Sequence, residues 1–399
     1  MRKALSIVVT VALTIAALAL LWTRVGSTNS LATRQNLIKQ GVPPALHHPH
    51  PTRFRKLDQY WSDSSVVMDG LYHLYNPDIL QVRSPPSAVY RMYLFGWGSD
   101  ICNSALPGCD AIFHLHSDQL DNWPAATHPT PRLQPTLFAG DDYWNQWHIG
   151  DPSIIAVSGT YFASFSTSGF DQDGINPHPD PAINPSYTKD TDDYYYSIGG
   201  AVSADGLAWQ SQTTPLLTSS AELGANDFAV NGTYQRPSLL YENGRFRLWF
   251  DYFHANPTYR HSMGYAEAIG PPTAETFRPQ NWVVRQAGDY PAIPNWPNPE
   301  IVKLPFGYLA FADPKGHGEI KWVERKTSMA FSDDGLNWRI LGFIDHDQDC
   351  EANHIPEAYV EDEVVYLFTA CMNNLRYQRL KLRKLSFDRL AQLLRDTRP

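Results

Sequence analysis

Gly150-Asp151-Pro152-Ser153-Ile154-Ile155 places a proline directly before an apolar run, and four other segments repeat the arrangement. They are Asn76-Pro77-Asp78-Ile79, Arg236-Pro237-Ser238-Leu239, Asn298-Pro299-Glu300-Ile301 and Ile355-Pro356-Glu357-Ala358. Proline cannot donate to a sheet ladder, so within a sheet it belongs on an edge strand or at a strand start. Side chains alternate between faces along a strand, so the two residues flanking each proline are expected to point the same way. Five such strands around one axis would aim ten side chains into one funnel. These are Asn76 and Asp78, Asp151 and Ser153, Arg236 and Ser238, Asn298 and Glu300, and Ile355 and Glu357.

Each proline segment opens the same succession of short apolar runs and turns. Ser153–Val157 is followed by a Ser158-Gly159 turn and Tyr161–Phe165, and Ser238–Tyr241 by Asn243-Gly244 and Arg245–Phe250. An Asn-Gly pair between alternating apolar runs is the strongest short-range hairpin signal. Ser203-Ala204-Asp205-Gly206-Leu207-Ala208-Trp209 and Ser332-Asp333-Asp334-Gly335-Leu336-Asn337-Trp338 share a Ser-x-Asp-Gly-x-x-Trp ending, in which Asp and Gly shape a tight turn and Trp packs between elements. The prolines lie 57 to 85 residues apart, longer than common propeller repeats of about 40–50 residues. The excess falls in loops, above all 170–193. The pattern predicts an all-β, five-bladed β-propeller over residues 60–399. Tyr60 to Tyr75 is expected to supply an edge strand that closes the fold, and a short helix is expected near Arg389 to Arg395.

Two segments precede the propeller. Arg2 and Lys3 stand before an apolar run from Ala4 to Trp22, so residues 1–25 are expected to be a signal peptide or an uncleaved N-terminal anchor, the only part of the chain to meet a membrane. Residues 26–59 carry too much proline for regular structure and are expected to be a flexible linker, its His47, His48 and His50 solvated rather than metal-bound. Four cysteines suit an oxidising, extracytoplasmic compartment. Cys102 with Cys109 and Cys350 with Cys371 are the expected disulfides, although three pairings are formally open. A net charge of −9 without clustered Lys and Arg argues against a nucleic-acid partner.

The five proline strands and the Ser-x-Asp-Gly-x-x-Trp endings resemble the five-bladed propeller glycosidases, such as glycoside hydrolase family 43 and its relatives that include invertases and levansucrases. The likeness spans Leu71 to about Phe387. Gly150–Ile155 resembles that family's Asp-Pro-Ser strand, whose Asp is the general base. The chain departs from the pattern at Gln235-Arg236-Pro237, which has Gln where the catalytic acid Glu would stand.

The resemblance implies a carbohydrate substrate, with arabinose-containing or other furanosides favoured, and no required cofactor. A His holds a central ion in some relatives, so a Ca2+ or other ion near His148 and His354 is a further expectation. Glycoside hydrolysis needs two carboxyl groups on opposite sides of the scissile bond, one protonated and one ionised. Asp151 is the expected base or nucleophile and Glu300 the expected acid, its pKa tuned by Asp78 through like-charge repulsion. Glu357 and Glu351 stand in reserve. Arg236, Asn76, Asn298 and Glu357 are candidate substrate contacts, and Trp147 and Trp296 are candidate stacking platforms. The alternatives are a non-catalytic propeller binding glycan or protein at the cell surface, and a phosphorylase using Arg236 to hold phosphate.

Overall fold

The computed structural model describes residues 55–397, apart from 72–73, 84–87, 97–110, 125–133, 139–147, 169–195, 219–232, 254–260, 288–290, 315–324, 346 and 374–375. The expected signal segment, most of the linker, Cys102, Cys109, Trp147 and the long insertion lie outside the described residues. Among the described residues no helix is long and apolar enough to cross a membrane.

Five antiparallel sheets follow one another along the chain. The first blade comprises β2 (Leu74–Arg83), β3 (Val89–Gly96), β4 (Ala111–Ser117) and β5 (Gln134–Phe138). The second comprises β6 (His148–Val157), β7 (Thr160–Ser168), β8 (Ser197–Ser203) and β9 (Gln210–Ser211). The third holds β10 (Thr233–Glu242), β11 (Arg245–Phe253), β12 (His261–Ile269) and β13 (Trp282–Gln286), with β14 (Ile293–Pro294) also on β12. The fourth holds β15 (Glu300–Leu304), β16 (Gly307–Ala312), β17 (Thr327–Ser332) and β18 (Arg339–Ile344). The fifth takes β19 (Ala352–Glu361), β20 (Val364–Asn373) and β21 (Arg376–Ser386), and completes itself with β1 (Ser65–Asp69). β1 pairs antiparallel with β21, so the first strand of the chain closes the last blade, as the sequence pattern anticipates. The helix α1 (Phe387–Asp396) follows, its N-terminus capped by the Ser386 side chain accepting from the Arg389 amide.

Each proline strand is the terminal strand of its sheet, where a missing N–H costs no ladder bond. The hydrophobic core is correspondingly divided into five clusters, one at each junction between neighbouring blades. Leu80, Tyr93 and Ile112 meet Ile149, Ile154 and Phe165 between the first and second blades. Phe162 and Leu216 meet Phe246 and Phe250 between the second and third. Trp249 and Tyr265 meet Ile301 and Ala310 between the third and fourth. Leu309 and Phe311 meet Leu367 and Leu385 between the fourth and fifth, and Leu380 and Leu382 meet Met92 and Leu94 where the ring closes. Every blade therefore buries both of its faces, and no blade has a complete core of its own.

The Ser-x-Asp-Gly turns add a polar latch to this packing. Asp205 Oδ1 accepts from the amides of Leu207 and Ala208 at 2.8 and 2.9 Å, and Gly206 takes φ +72°, which a Cβ would strain. The amide bonds hold the Asp205 carboxyl down at about 2. Carbonyls of this turn in the second blade receive Arg91 Nη1 and the Tyr93 hydroxyl from the first, both at 2.8 Å. The same device joins the third and fourth blades, where Arg247 Nη2 donates to Asp334 O at 2.8 Å and Trp249 Nε1 to Gly335 O at 2.9 Å. Cys350 and Cys371 form the expected disulfide, from just before β19 to β20.

Candidate functional site

The residue before each proline has a left-handed backbone. Asn76, Asp151, Arg236, Asn298 and Ile355 have φ of 51°, 48°, 50°, 50° and 50°. Sterics push a pre-proline residue toward extended conformations, and a non-glycine residue at positive φ is uncommon, so five equivalent instances mark a deliberate bend. The ladder register slips at the same place in four blades, between Tyr75 and Pro77, Gly150 and Ser153, Gln235 and Ser238, and His354 and Glu357. Such bulges re-aim side chains. The residues flanking each proline consequently do not follow simple alternation but form two tiers along the axis.

The tier after the prolines comprises Asp78, Ser153, Ser238, Glu300 and Glu357, and it is wired from blade to blade. Asp78 accepts from the Ile154 amide at 3.0 Å, Ser153 from Leu239 at 2.9 Å and Ser238 from Ile301 at 2.9 Å. Glu300 accepts from the Ala358 amide, and Glu357 from Ile79 at 3.0 Å, which closes the circle. Each side chain thus satisfies a backbone donor on the innermost strand of the next blade, a donor that has no ladder partner on its axial side. Burial pushes the Asp78 carboxyl well up. Glu300 and Glu357 are also pushed well up, first by burial, then by the neighbouring charges of Asp78 for Glu300 and of Glu300 and Asp78 for Glu357. The Ser238 hydroxyl donates to Glu300 Oε2 at 3.2 Å.

The tier before the prolines is wired differently. Asn76 Nδ2 donates to Asp151 Oδ1 at 2.7 Å, and Arg236 Nε lies 3.7 Å from Asp151 Oδ2. On its other side Arg236 Nη1 lies 3.6 Å from Asp251 Oδ2. Burial opposes the Arg236 charge, but Asp151, Asp251 and Asp313 together push its pKa up. The second strands support this tier from behind. Ser166 Oγ accepts from the Arg236 amide at 2.7 Å, Asp251 from the Asn298 amide at 3.4 Å and Asp313 from the Ile355 amide at 2.9 Å. Asp251 is fully buried and also meets His261 Nδ1 at 3.0 Å.

Asp313, likewise fully buried, is 3.0 Å from both Arg325 Nη1 and His354 Nε2, and accepts from Asn298 Nδ2. Burial would raise the Asp313 carboxyl, yet these partners pull it down, while burial and then the Arg325 charge hold His354 down to about 4.

A narrow axial opening, with room for about one water molecule, is lined by the five prolines together with side chains of both tiers, including Asn76, Arg236, Asn298, Glu300 and Glu357. The fold brings these five candidates together. Asp151 stands directly behind Asn76 and Arg236, and Asp78 sits in the deeper ring. Glu351 is not in the lining; its amide is tied to the carbonyl of Met372 at 2.9 Å.

Trp296 requires a correction. It is completely buried with Trp249, Met263 and Ile301 between the third and fourth blades, so it packs the core and presents no face to a sugar. The two histidines have different surroundings. His148 is packed edge-on against Phe95 and Tyr196, whereas His354 touches the Arg325 guanidinium, whose charge opposes a second cation. Among the described residues no three of His, Cys, Asp and Glu converge to hold a metal.

Three buried groups of this site escape a reading of the sequence: Asp251, Asp313 and Arg325. The first two end apolar second strands, in Trp249-Phe250-Asp251 and Ala310-Phe311-Ala312-Asp313, and an ionisable residue at the close of an otherwise buried run is the signal that finds them.

By sequence, no protein-family model and no curated protein matches this chain. Among solved structures, a family 117 glycoside hydrolase from the marine bacterium Zobellia galactanivorans superposes with a TM-score of 0.52 at 11% identity, covering 83% of this chain and 93% of that one. A structure described only as a glycoside hydrolase gives 0.53 at 13% identity, over 84% and 93% of the two chains. A β-xylosidase gives 0.50 at 10% identity, over 81% and 94%. What these likenesses share with the chain is its architecture: it has the five-bladed propeller fold of glycoside hydrolases.

Proposed function

We propose that this protein is an exported glycosidase that hydrolyses a polysaccharide or oligosaccharide at the axial opening. The observation that carries the reading is two carboxyl groups in different surroundings beside one opening, Glu300 in its lining and Asp151 behind Asn76 and Arg236. Asp151 accepts from the Asn76 amide and pairs with the Arg236 guanidinium, while burial and then the charge of Asp78 push the Glu300 carboxyl well up. In this scheme Asp151 is the base or nucleophile. Glu300 protonates the leaving oxygen, and Asp78 sustains the raised pKa of Glu300. Arg236, Asn76 and Asn298 orient the sugar. The Cys350–Cys371 disulfide agrees with a place outside the cytoplasm.

The test is hydrolysis of a panel of aryl glycosides and plant or microbial glycans, furanosides included, by the full-length protein and by Asp151→Asn and Glu300→Gln. Each substitution is expected to lower turnover at least about 100-fold while leaving the protein folded. Full activity in both variants sinks the assignment of roles.

A second reading, a propeller that binds glycan without cleaving it, is favoured by one observation: Gln235 stands where the resemblance places the acid, and it lies 3.5 Å from Asp251, which is engaged with His261. Sugar binding without turnover across the panel selects it.

A further inference from the structure

We infer that residues 55–61 are a strap that sets the fourth- and fifth-blade side of the site, so that Arg325, His354 and Ile355 keep their places only while this stretch is docked. The inference goes beyond the proposed function and does not rest on it.

The strap crosses the outer edges of two blades. Arg55 O accepts from the Phe343 amide at 3.0 Å and Leu57 N donates to Phe343 O at 2.8 Å, which adds the segment to β18 of the fourth blade. After a single 3-10 turn at Asp58–Tyr60, Ser62 N donates to Lys384 O at 2.9 Å on β21 of the fifth. Leu57, Tyr60 and Trp61 are buried in one cluster with Leu341, Leu385 and Leu390, so apolar burial drives the docking. The Tyr60 hydroxyl donates to Asp396 Oδ2 at 2.6 Å, at the far end of α1. Gly342 lies so close beneath the strap that a Cβ there would collide with the Arg55 carbonyl oxygen.

Two polar routes lead from the strap to the site. On the first, Lys56 Nζ is 2.8 Å from Asp345 Oδ2, and Asp345 Oδ1 is 2.9 Å from Lys326 Nζ, next to Arg325 in the chain. On the second, Asp58 accepts from the Asp345 amide at 3.2 Å and lies 3.8 Å from Arg383 Nη1. Arg383 Nη2 donates to Asp347 at 2.7 Å, and Asp347 accepts from Asn353 Nδ2 at 3.3 Å. The Asn353 amide in turn donates to Arg325 O at 3.3 Å. Both routes end at the buried group in which Arg325 and His354 clasp Asp313, and Asp313 accepts the Ile355 amide at 2.9 Å. Lys56 is about half exposed, and an exposed ion pair contributes little by itself. Asp347 and Asn353 are buried, and a contiguous hydrogen-bonded chain of such groups is what carries coupling between distant places.

The experiment is amide hydrogen exchange of the full-length protein, followed by mass spectrometry over peptides that carry Asn353 and Ile355. Peptides carrying Ile154 and Leu239, whose amides are held on the second and third blades by Asp78 and Ser153, serve as the reference. Lys56→Gln combined with Asp58→Ala is expected to speed exchange of Asn353 and Ile355 about 3- to 10-fold, the worth of one or two polar contacts, and to leave the reference amides unchanged. Gly342→Ala, which lifts the strap without touching its charges, is expected to do at least as much. Unchanged exchange at Asn353 and Ile355 in the charge variant overturns the inference. Equal acceleration of all four amides overturns it too, because the strap then stabilises the whole ring without setting the site. Should Gly342→Ala fail to fold, the charge variant decides alone, its two changes lying at partly exposed positions. None of these outcomes bears on the glycosidase reading, which hydrolysis decides.

Discussion

The two tiers of the axis come from the same five strands and lie on either side of the same five prolines, yet they obey different rules. After the prolines the side chains are Asp, Ser, Ser, Glu and Glu, all hydrogen-bond acceptors, each holding a backbone amide of the next blade. Before the prolines they are Asn, Asp, Arg, Asn and Ile, with no common chemistry, and the polar ones are paired with each other or with second strands. What the members of this tier share is backbone: a left-handed bend near φ +50°. The deeper tier holds the ring together, and any acceptor of suitable reach will do. The outer tier sets individual groups in individual places, which is what recognition and catalysis require. Glu300 and Glu357 belong to both, since each clasps an amide of the next blade and lines the opening.

The contrast can be pressed hardest at Glu300. Glu300→Gln keeps an acceptor for Ala358 but removes the proton, so hydrolysis is expected to fall about 10²- to 10⁴-fold, the usual worth of a general acid. Glu300→Leu loses the acceptor as well and is expected to lower the melting temperature in addition. Equal melting temperatures for the two would show that the clasp contributes nothing.

A purely structural member of the deeper tier gives the next effect. Ser153→Ala strands the buried Leu239 amide and is expected to cost about 1–3 kcal/mol, read from the urea midpoint. Phosphate or sugar binding has no part in that prediction.

The same tier makes stability depend on pH. Asp78, Glu300 and Glu357 have folded pKa values raised above their unfolded ones, so the folded state retains protons that the unfolded state releases. Their contribution is fully present below the unfolded carboxyl pKa, near 4, and is lost as pH rises toward the folded values. Asp205 and Asp334, each held at about 2, act oppositely and lose stability as pH falls from about 4 toward 2. Glu357→Gln keeps an acceptor without a titrating proton. Its melting temperature relative to the wild type is therefore expected to rise between pH 5 and pH 8; a constant difference across that range contradicts the assignment.

The smallest effect tests the outer tier's strain. Ile355 is β-branched at φ 50°, a conformation that Asn adopts far more readily. Ile355→Asn is expected to cost less than about 1 kcal/mol by thermal melting, although Ile355 is 2% exposed and comparable core isoleucines lose about 2–5 kcal/mol on truncation. A loss in that larger range would show that the bend stores no strain.

Much of this protein follows from local pattern. Five prolines before apolar runs, the Asn243-Gly244 hairpin, the Ser-x-Asp-Gly turns and the spacing of Cys350 and Cys371 each act over a few residues or one hairpin, where φ/ψ preference and side-chain alternation suffice. They determine the blade count, the edge position of the proline strands and the closing strand. The site depended on more than pattern. Asp251, Asp313 and Arg325 lie one or more strands away from the residues they support, and their pairing exists only once the blades stand side by side. The left-handed bends run against the pre-proline preference, and at Arg236, Asn298 and Ile355 they are held where the residue's own amide donates to a side chain of the preceding blade. Trp296 reads equally well as a stacking platform or as core; its fate was decided by the neighbouring blade. The sequence alone determined a ring of five proline-led strands, because those preferences are local. Only the tertiary structure decided which side chains face the opening, because that depends on hydrogen bonds from one blade to the next.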